Sequence, residues 1–545
     1  MKRKSSLIAM FLALVLLSIT VLGCSSNNGN AGEPSEPSAN NENARGSSEP
    51  SENSGATTYP IQTDKKLTYW GEYITVKPTV AEVPFFQEWQ KRTGVPVEFI
   101  SPPAGQEKES LNVLLASGDL PDMIEYDWFS FPGGPEKAIN DGYILRLNDV
   151  IDQYAPNLRK YLDEHPEIDK MIKTDNGSYY TFPFIRGDDL LQVYQGPIVR
   201  KDWLDELGLQ IPETIDEYYT VLKAFKEKKG VAAPLSFTGI GALGNGAFVG
   251  AYGANRGFFQ EDGKVVYGPM QPGYKEFLAT MRKWYAEGLL DKNIATVDGK
   301  ALDANITSGQ TGITIGNAGG GIGKWTPALK EKDPNGILAP APYPVLNKGD
   351  KPKFGQKDHK YTTYDNVAIS ATSKNAELAA KLLDWGYSEE GHMYFNFGQE
   401  GVSYTMVDGY PKYTDLLMNN PDKLAPAQAM SLYIRGNSGG PFVQDKRYIE
   451  QYMQLPEQRE ALEIWSNTDA DKYSLGLSTP TSEEASELAK IMNDVNTLID
   501  EMSLKIILGS EPIDAYDGYM EKLKSLKIDR AIEIKQAAYD RYLNR

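Results

Sequence analysis

From Lys66 onward, short apolar runs alternate with stretches whose apolar residues recur at helical spacing. Lys66–Trp70 reads as a strand. In Pro84–Thr93, Phe85, Phe86 and Trp89 share one helix face, and Gly94 ends the helix. Val95–Ile100 is the next strand. Glu107–Ser117 follows as a helix with Leu111, Leu114 and Leu115 on one side and Gly118 at its end, and Met123–Tyr126 is a third strand. A β-α-β-α-β order of this kind implies a parallel sheet covered by helices. Ligands of such sheets bind beyond the carboxyl ends of the strands. Those ends are Trp70-Gly71-Glu72-Tyr73, Ser101-Pro102-Pro103 and Asp127-Trp128-Phe129, two of them rich in aromatic and acidic groups.

The same style continues without a sequence repeat. Thr214-Ile215-Asp216-Glu217 has the spacing of a capping box and opens a helix through Phe225. Pro234–Thr238 and Thr311–Ile315 read as strands, with a helix over Tyr274–Glu287 between them. Asp262-Gly263 and Asn176-Gly177 lie between β-type runs and predict hairpin turns. Beyond about Ser373 helices dominate, over Ala376–Trp385, Ser482–Glu501 and Ile528–Tyr542. No boundary linker interrupts 59–545, which favours two interwoven lobes over domains in series.

The N-terminus reads differently. Lys2, Arg3 and Lys4 precede an uncharged apolar run from Leu7 to Leu22, too short for a comfortable membrane span and suited to a signal-peptide core. The run ends in Val21-Leu22-Gly23-Cys24, which resembles a bacterial lipobox. Cys24 is the single cysteine of 545 residues, so its place here points to lipidation, with residues 1–23 removed. Two acyl chains anchor a protein stably without a spanning helix. The polar stretch to Thr58 has no aromatic residue and no aliphatic one larger than alanine, so 24–58 reads as a disordered tether with a reach of about 30 Å. Losing residues 1–23, which hold three basic residues and no acid, takes the formal charge from −18 to −21. An acidic body argues against nucleic acid and against lying on anionic lipid. Tyrosine is abundant, at 32 residues with 8 tryptophans, which suits sugar faces as well as ordinary packing.

Several blocks resemble family 1 extracellular solute-binding proteins, most closely alginate-oligosaccharide-binding members and related lipoproteins. In order they are Leu111–Asp122 (LNVLLASGDLPD), Leu147–Leu158 (LNDVIDQYAPNL), Arg200–Gly208 (RKDWLDELG) and Pro212–Lys226 (PETIDEYYTVLKAFK). Trp284–Asp291 (WYAEGLLD), Gly398–Tyr404 (GQEGVSY) and Gln536–Arg541 (QAAYDR) follow. The resemblance implies an α/β fold, a two-lobed clamp of the periplasmic-binding-protein kind. Each lobe is expected to be a mostly parallel sheet flanked by helices, with a helix-rich C-terminal part. The implied lobes are 59–186 plus about 355–425, and 187–354 plus about 426–545. The implied function is the lipid-anchored capture component of an ABC importer at the cell membrane, facing outside the cytoplasm. It would be a monomer that closes on an oligosaccharide and presents it to permease subunits, with no cofactor. Relatives that bind alginate carry an acidic calcium-type loop after the block matching Lys223–Lys226. Glu227-Lys228-Lys229-Gly230-Val231 lacks its alternating ligands, so no metal is expected there. Gly316–Trp325 (GNAGGGIGKW) also departs from theirs, which puts alginate itself in doubt.

Enzyme readings fare poorly. Gly436-Asn437-Ser438-Gly439-Gly440 fits G-x-S-x-G, but an α/β-hydrolase needs a histidine after the serine and the last one is His392. His165, His359 and His392 are scattered, with no zinc pattern. Gly239–Gly244 fits G-x-G-x-x-G, a weak signal alone. Ala318–Trp325 only approximates a P-loop. A non-sugar solute such as a peptide stays open as ligand, as does an exported polysaccharide-degrading enzyme. For a sugar, flat aromatic faces and fixed polar groups are required. Trp70, Trp128, Phe129 and Trp325 are the stacking candidates. Glu72, Asp127, Asn317 and Asp365 are their polar neighbours. Arg186 falls where the resemblance places a lobe crossing, and Tyr364 and Tyr404 complete the set.

Overall fold

The computed structural model describes residues 57–73 and 75–545. The expected signal segment 1–23, Cys24 and nearly all of the tether lie outside the described residues. Among the described residues no helix is long and apolar enough to cross a membrane.

Helix Pro84–Thr93 forms where the apolar triplet predicts, with proline in its first turn and Gly94 closing it at φ 73°. Strands Leu67–Trp70 and Val97–Ile100 pair in parallel, and Leu67–Trp70 also pairs in parallel with Met123–Tyr126. A late strand, Asn366–Ile369, joins the sheet antiparallel to Met123–Tyr126. Its N-terminal end therefore shares a sheet edge with the C-terminal ends of the three parallel strands. Around this sheet Trp89, Trp128, Phe182, Val367 and Trp385 form one apolar core.

A second sheet has the order Leu338–Pro340, Gln195–Arg200, Thr311–Asn317, Ala233–Leu235. Here the expected mostly parallel pattern gives way to a mixed one. Gln195–Arg200 is antiparallel to both neighbours, and Ala233–Leu235 alone runs parallel to Thr311–Asn317. The reason lies in connectivity. Gln195–Arg200 enters from the first lobe, so Gln195 sits opposite Asn317, the last residue of its neighbour. A separate core built on Phe225, Phe277, Trp284 and Trp465 surrounds this sheet. A third, small core gathers Phe397, Tyr404, Tyr413, Met430 and Tyr448.

Local chemistry sets the element ends. The Thr214 side chain accepts from Glu217 N, and Glu217 accepts from Thr214 N. The helix behind this box runs to Lys229, and the expected-metal-free stretch from Glu227 is its last turn, closed by Gly230. Asp262 and Gly263 both have positive φ and turn Phe258–Glu261 into Lys264–Tyr267. The 27-residue helix Ser482–Leu508 packs on Pro272–Ala286, where the Tyr274 and Ser503 hydroxyls bond at 3.0 Å. The C-terminal helix, Ile528–Leu543, returns to the first lobe, where Arg541 Nε donates to Asp175 at 2.8 Å.

Candidate functional site

The two lobes are joined at a pair of two-residue strands. Ile185–Arg186 runs parallel to Val443–Gln444, Arg186 N donates to Lys360 O at 2.7 Å, and Gly187 N to Gln444 O at 3.0 Å. Beside this crossing lies a cavity of about 440 Å³. Arg186 and Gln444 reach it from the crossing and Asn317 from the end of the second sheet. Tyr364 and Asp365 come from the edge of the first sheet, and Asn437 and Ser438 from a loop. Tyr194 and Tyr452 supply aromatic walls. Tyr452 is backed by Tyr448, the rings 5.7 Å apart and 14° from parallel.

Arg186 is held from several sides. Its Nη2 donates to Asp358 Oδ2 at 2.7 Å and to the Tyr364 hydroxyl at 2.6 Å, and its Nη1 donates to Leu191 O at 2.8 Å. Asp365 has a left-handed backbone, φ 57°, a conformation that Asp adopts more readily than most residues. Burial first, then the charge of Glu125, pushes its carboxyl up to about 6, against the pull of Arg435 and Arg186. Beneath it lies a buried cluster. Glu125 accepts from Arg435 Nη2 at 3.0 Å and from the hydroxyls of Tyr69 and Tyr73 at 2.7 and 3.0 Å. Arg435 Nε also donates to Gly439 O at 2.8 Å, tying down the loop that carries Asn437 and Ser438.

The glycine-rich runs make room for neighbouring side chains. Gly316 and Gly321 leave room for the Trp325 ring, and at Gly319 an added Cβ would come 2.7 Å from Tyr452. In the Gly436–Gly440 loop, Gly439 lies against Asp365, where a Cβ would come within 2.2 Å of that side chain. Ser438 Oγ donates to Arg435 O, and His392 bonds to Asp445, so these two residues form no catalytic pair.

Of the residues singled out in the sequence, Arg186, Asn317, Tyr364 and Asp365 line this cavity together. Three tryptophans require correction as stacking platforms. Trp128 is 0% exposed, and its indole N–H donates to Ile124 O, so no face is free for a ligand. Trp70 is a core residue of the first lobe. Trp325 is buried against the second, with its N–H on Asp303 at 2.6 Å. Large apolar rings at strand ends filled lobe interiors because that buries the most surface. The others are dispersed. Glu72 accepts from Gly105 N, and Asp127 caps the short turn Trp128–Ser130. Phe129 lines a separate apolar cavity with Pro480 and Met492. Tyr404 packs on Phe397, beside a surface cavity that also holds Arg92 and Glu390. Tyr194, Asn437, Ser438, Gln444 and Tyr452 escaped sequence reasoning. The G-x-S-x-G match marked the loop of Asn437 and Ser438. Tyr452 is one of 32 tyrosines and carried no signal.

A sheet-based lobe on each side of a two-strand crossing, with a polar and aromatic cavity beside it, defines a clamp-type binding protein. Residues 75–393 match the bacterial extracellular solute-binding protein family, and the chain belongs to that family. Its relatives bind solutes and are not enzymes. A fructooligosaccharide ABC transporter substrate-binding protein, FusA of Streptococcus pneumoniae serotype 4, is 28% identical over 516 residues, covering 89% of this chain and 92% of that one. Lipoprotein LipO of Bacillus subtilis is 25% identical over 365 residues, 64% of this chain and 69% of its own. The crystal structure of alginate-binding protein AlgQ2 without calcium superposes with a TM-score of 0.72 at 26% identity, covering 88% of this chain and 99% of that one.

Proposed function

We propose that this protein captures an oligosaccharide for an ABC importer, holding it in the cavity beside the lobe crossing and delivering it to membrane permease subunits. The observation that carries this reading is the lining itself. Tyr452 backed by Tyr448, with Tyr194 and Tyr364, offers ring faces for C–H patches. Asn317, Asn437, Ser438 and Asp365 offer donors and acceptors for hydroxyls. The relatives FusA and AlgQ2, whose names state a fructooligosaccharide and alginate, support the ligand class.

On this reading the lobes 59–186 plus about 355–425, and 187–354 plus about 426–545, close about the crossing strands. Phe442 and Leu477, from the last of those stretches, belong to the first core. Closure on ligand is a population shift that a permease can sense. Anchoring through a diacylated Cys24 fits the match to a lipoprotein and would hold the carrier, read as a monomer, at the cell surface.

The test is a thermal-shift screen of the purified protein against neutral and acidic oligosaccharides, peptides and amino acids. A ligand at 100 times its Kd adds about 2.7 kcal/mol, a rise of several degrees. A shift from glycans supports the reading, and one from peptides alone refutes the sugar assignment. Membrane fractionation of a Cys24→Ala variant tests the anchor, since the variant should leave the membrane fraction.

A further inference from the structure

Fructooligosaccharides are uncharged and alginate is a polymer of uronic acids, so the relatives leave the charge of the ligand open. The cavity does not. Resting on the oligosaccharide reading above, we infer that the site takes neutral glycans and rejects uronic-acid oligomers, with the unpaired carboxylate of Asp365 as the determinant.

Among the residues lining the cavity, Arg186 and Asp365 are the charged ones. A uronate is recognised most strongly by a guanidinium with two parallel N–H groups free, or by a lysine. Arg186 has neither freedom nor surplus charge. Both its terminal nitrogens are taken, by Asp358 and the Tyr364 hydroxyl on one and by Leu191 O on the other. The second N–H of Nη1 faces Gln444 Oε1 at 3.5 Å, and the one on Nε is buried and unpartnered, shut off from the space where a ligand would lie. The side chain is 10% exposed and its ion pair with Asp358 measures 2.7 Å. The other cation that acts on Asp365, Arg435, is bound to Glu125 at 3.0 Å and to Gly439 O at 2.8 Å.

Asp365 is the opposite case. It lines the cavity and makes no hydrogen bond or ion pair among the described residues. Gly439 presses on it from one side, and its left-handed backbone fixes the direction of approach. Its electrostatic neighbours are the acids Glu125 and Asp127 and the cations Arg435 and Arg186, each already paired with another carboxylate, and Glu107 feels Glu72, Glu125, Asp127 and Asp365 together. This edge of the first lobe therefore carries more acid than paired cation. A sugar hydroxyl donating to Asp365 gives the carboxylate the partner it lacks, by a charge-assisted bond. A second carboxylate placed there meets repulsion in a partly dry site, which Coulomb's law makes worth roughly 10- to 100-fold in affinity.

The experiment pairs ligands that differ in charge alone. At pH 7.5, where Asp365 is ionised, calorimetry gives Kd for each neutral glycan that binds and for its C6-oxidised, uronic-acid counterpart. The expected result is that the oxidised form binds at least about 10-fold more weakly. Asp365→Asn should bring the two affinities within about 3-fold, since removing one carboxylate removes the repulsion. Asn suits the left-handed backbone, so this variant keeps its melting temperature. Asp365→Glu, which keeps the charge, should keep the discrimination. Uronates binding as tightly as neutral partners, or discrimination surviving in Asp365→Asn, overturns the inference and leaves the oligosaccharide reading standing. A protein that binds no glycan of either kind overturns both.

Discussion

Arg435 and Glu125 form a buried ion pair that joins the first sheet to the Gly436–Gly440 loop, and its removal should be costly. Their side chains are 12% and 5% exposed, with Nη2 and Oε1 3.0 Å apart. The guanidinium lies 5.1 Å from the Tyr73 ring, and Tyr69 and Tyr73 donate to the other carboxylate oxygen. Arg435→Met keeps most of the aliphatic stem and its packing. It leaves a carboxylate in a dry site with two phenols and no counter-charge, which costs about 3–5 kcal/mol. In a cooperative unit of about 150–250 residues that lowers Tm by roughly 6–20 °C. Glu125→Gln in the same chain removes the stranded charge while keeping an acceptor for the phenols. The double variant should then recover about half of the loss, because an uncharged pair has no desolvation debt. Differential scanning calorimetry of the wild type, both single variants and the double variant completes the cycle. If Arg435→Met falls by less than about 3 °C, or the double variant loses the sum of the singles, the pair does not clasp the loop to the sheet.

Three further outcomes follow from the structure. Trp128→Ala and Trp325→Ala each remove a buried indole and should cost about 3–5 kcal/mol in stability, with ligand affinity of the folded fraction unchanged; a tenfold affinity loss at wild-type Tm would return them to the site. Asp384 accepts from Leu158 N at 2.8 Å and Asn157 Nδ2 at 2.7 Å, but burial outweighs these bonds and pushes its carboxyl up to about 6. Its folded value lies above the unfolded one, so the folded state takes up the proton first. Stability should therefore rise as pH falls from 7 through 6 toward 4, by up to about 3 kcal/mol from this group. Thermal melts across that range should show a shallower slope in Asp384→Asn, and an unchanged slope would contradict the assignment. Gly439→Ala places a methyl 2.2 Å from the Asp365 Cβ, so it should weaken glycan binding about tenfold with a small change in Tm; wild-type affinity would show that the loop yields freely.

What the sequence determined by itself was local. Pro84–Thr93, Glu107–Ser117 and Met123–Tyr126 begin and end where periodicity, glycine and proline place them, because those signals act over one or two turns. The Thr214 box and the Asp262-Gly263 turn are likewise written in neighbouring residues. The family blocks are legible for the same reason, being mostly helix faces and caps. Arg186, Asn317, Tyr364 and Asp365 could be named because they stand beside strand ends and a crossing. Tertiary structure alone decided which aromatic rings face a lobe interior and which face the cavity. On paper Trp128, just past a strand, is the better platform, and Tyr452 carries no signal. One is sealed under Phe131, while the other is propped outward by Tyr448 against a glycine. It also decided the direction of Gln195–Arg200, which depends on the edge at which the chain enters the sheet. The pairing of Arg435 with Glu125 spans 310 positions of sequence, and no local pattern encodes a contact at that separation. Charge compensation is a property of such contacts, so the sequence could name Arg186, Asn317, Tyr364 and Asp365 but not which of them would be left without a partner.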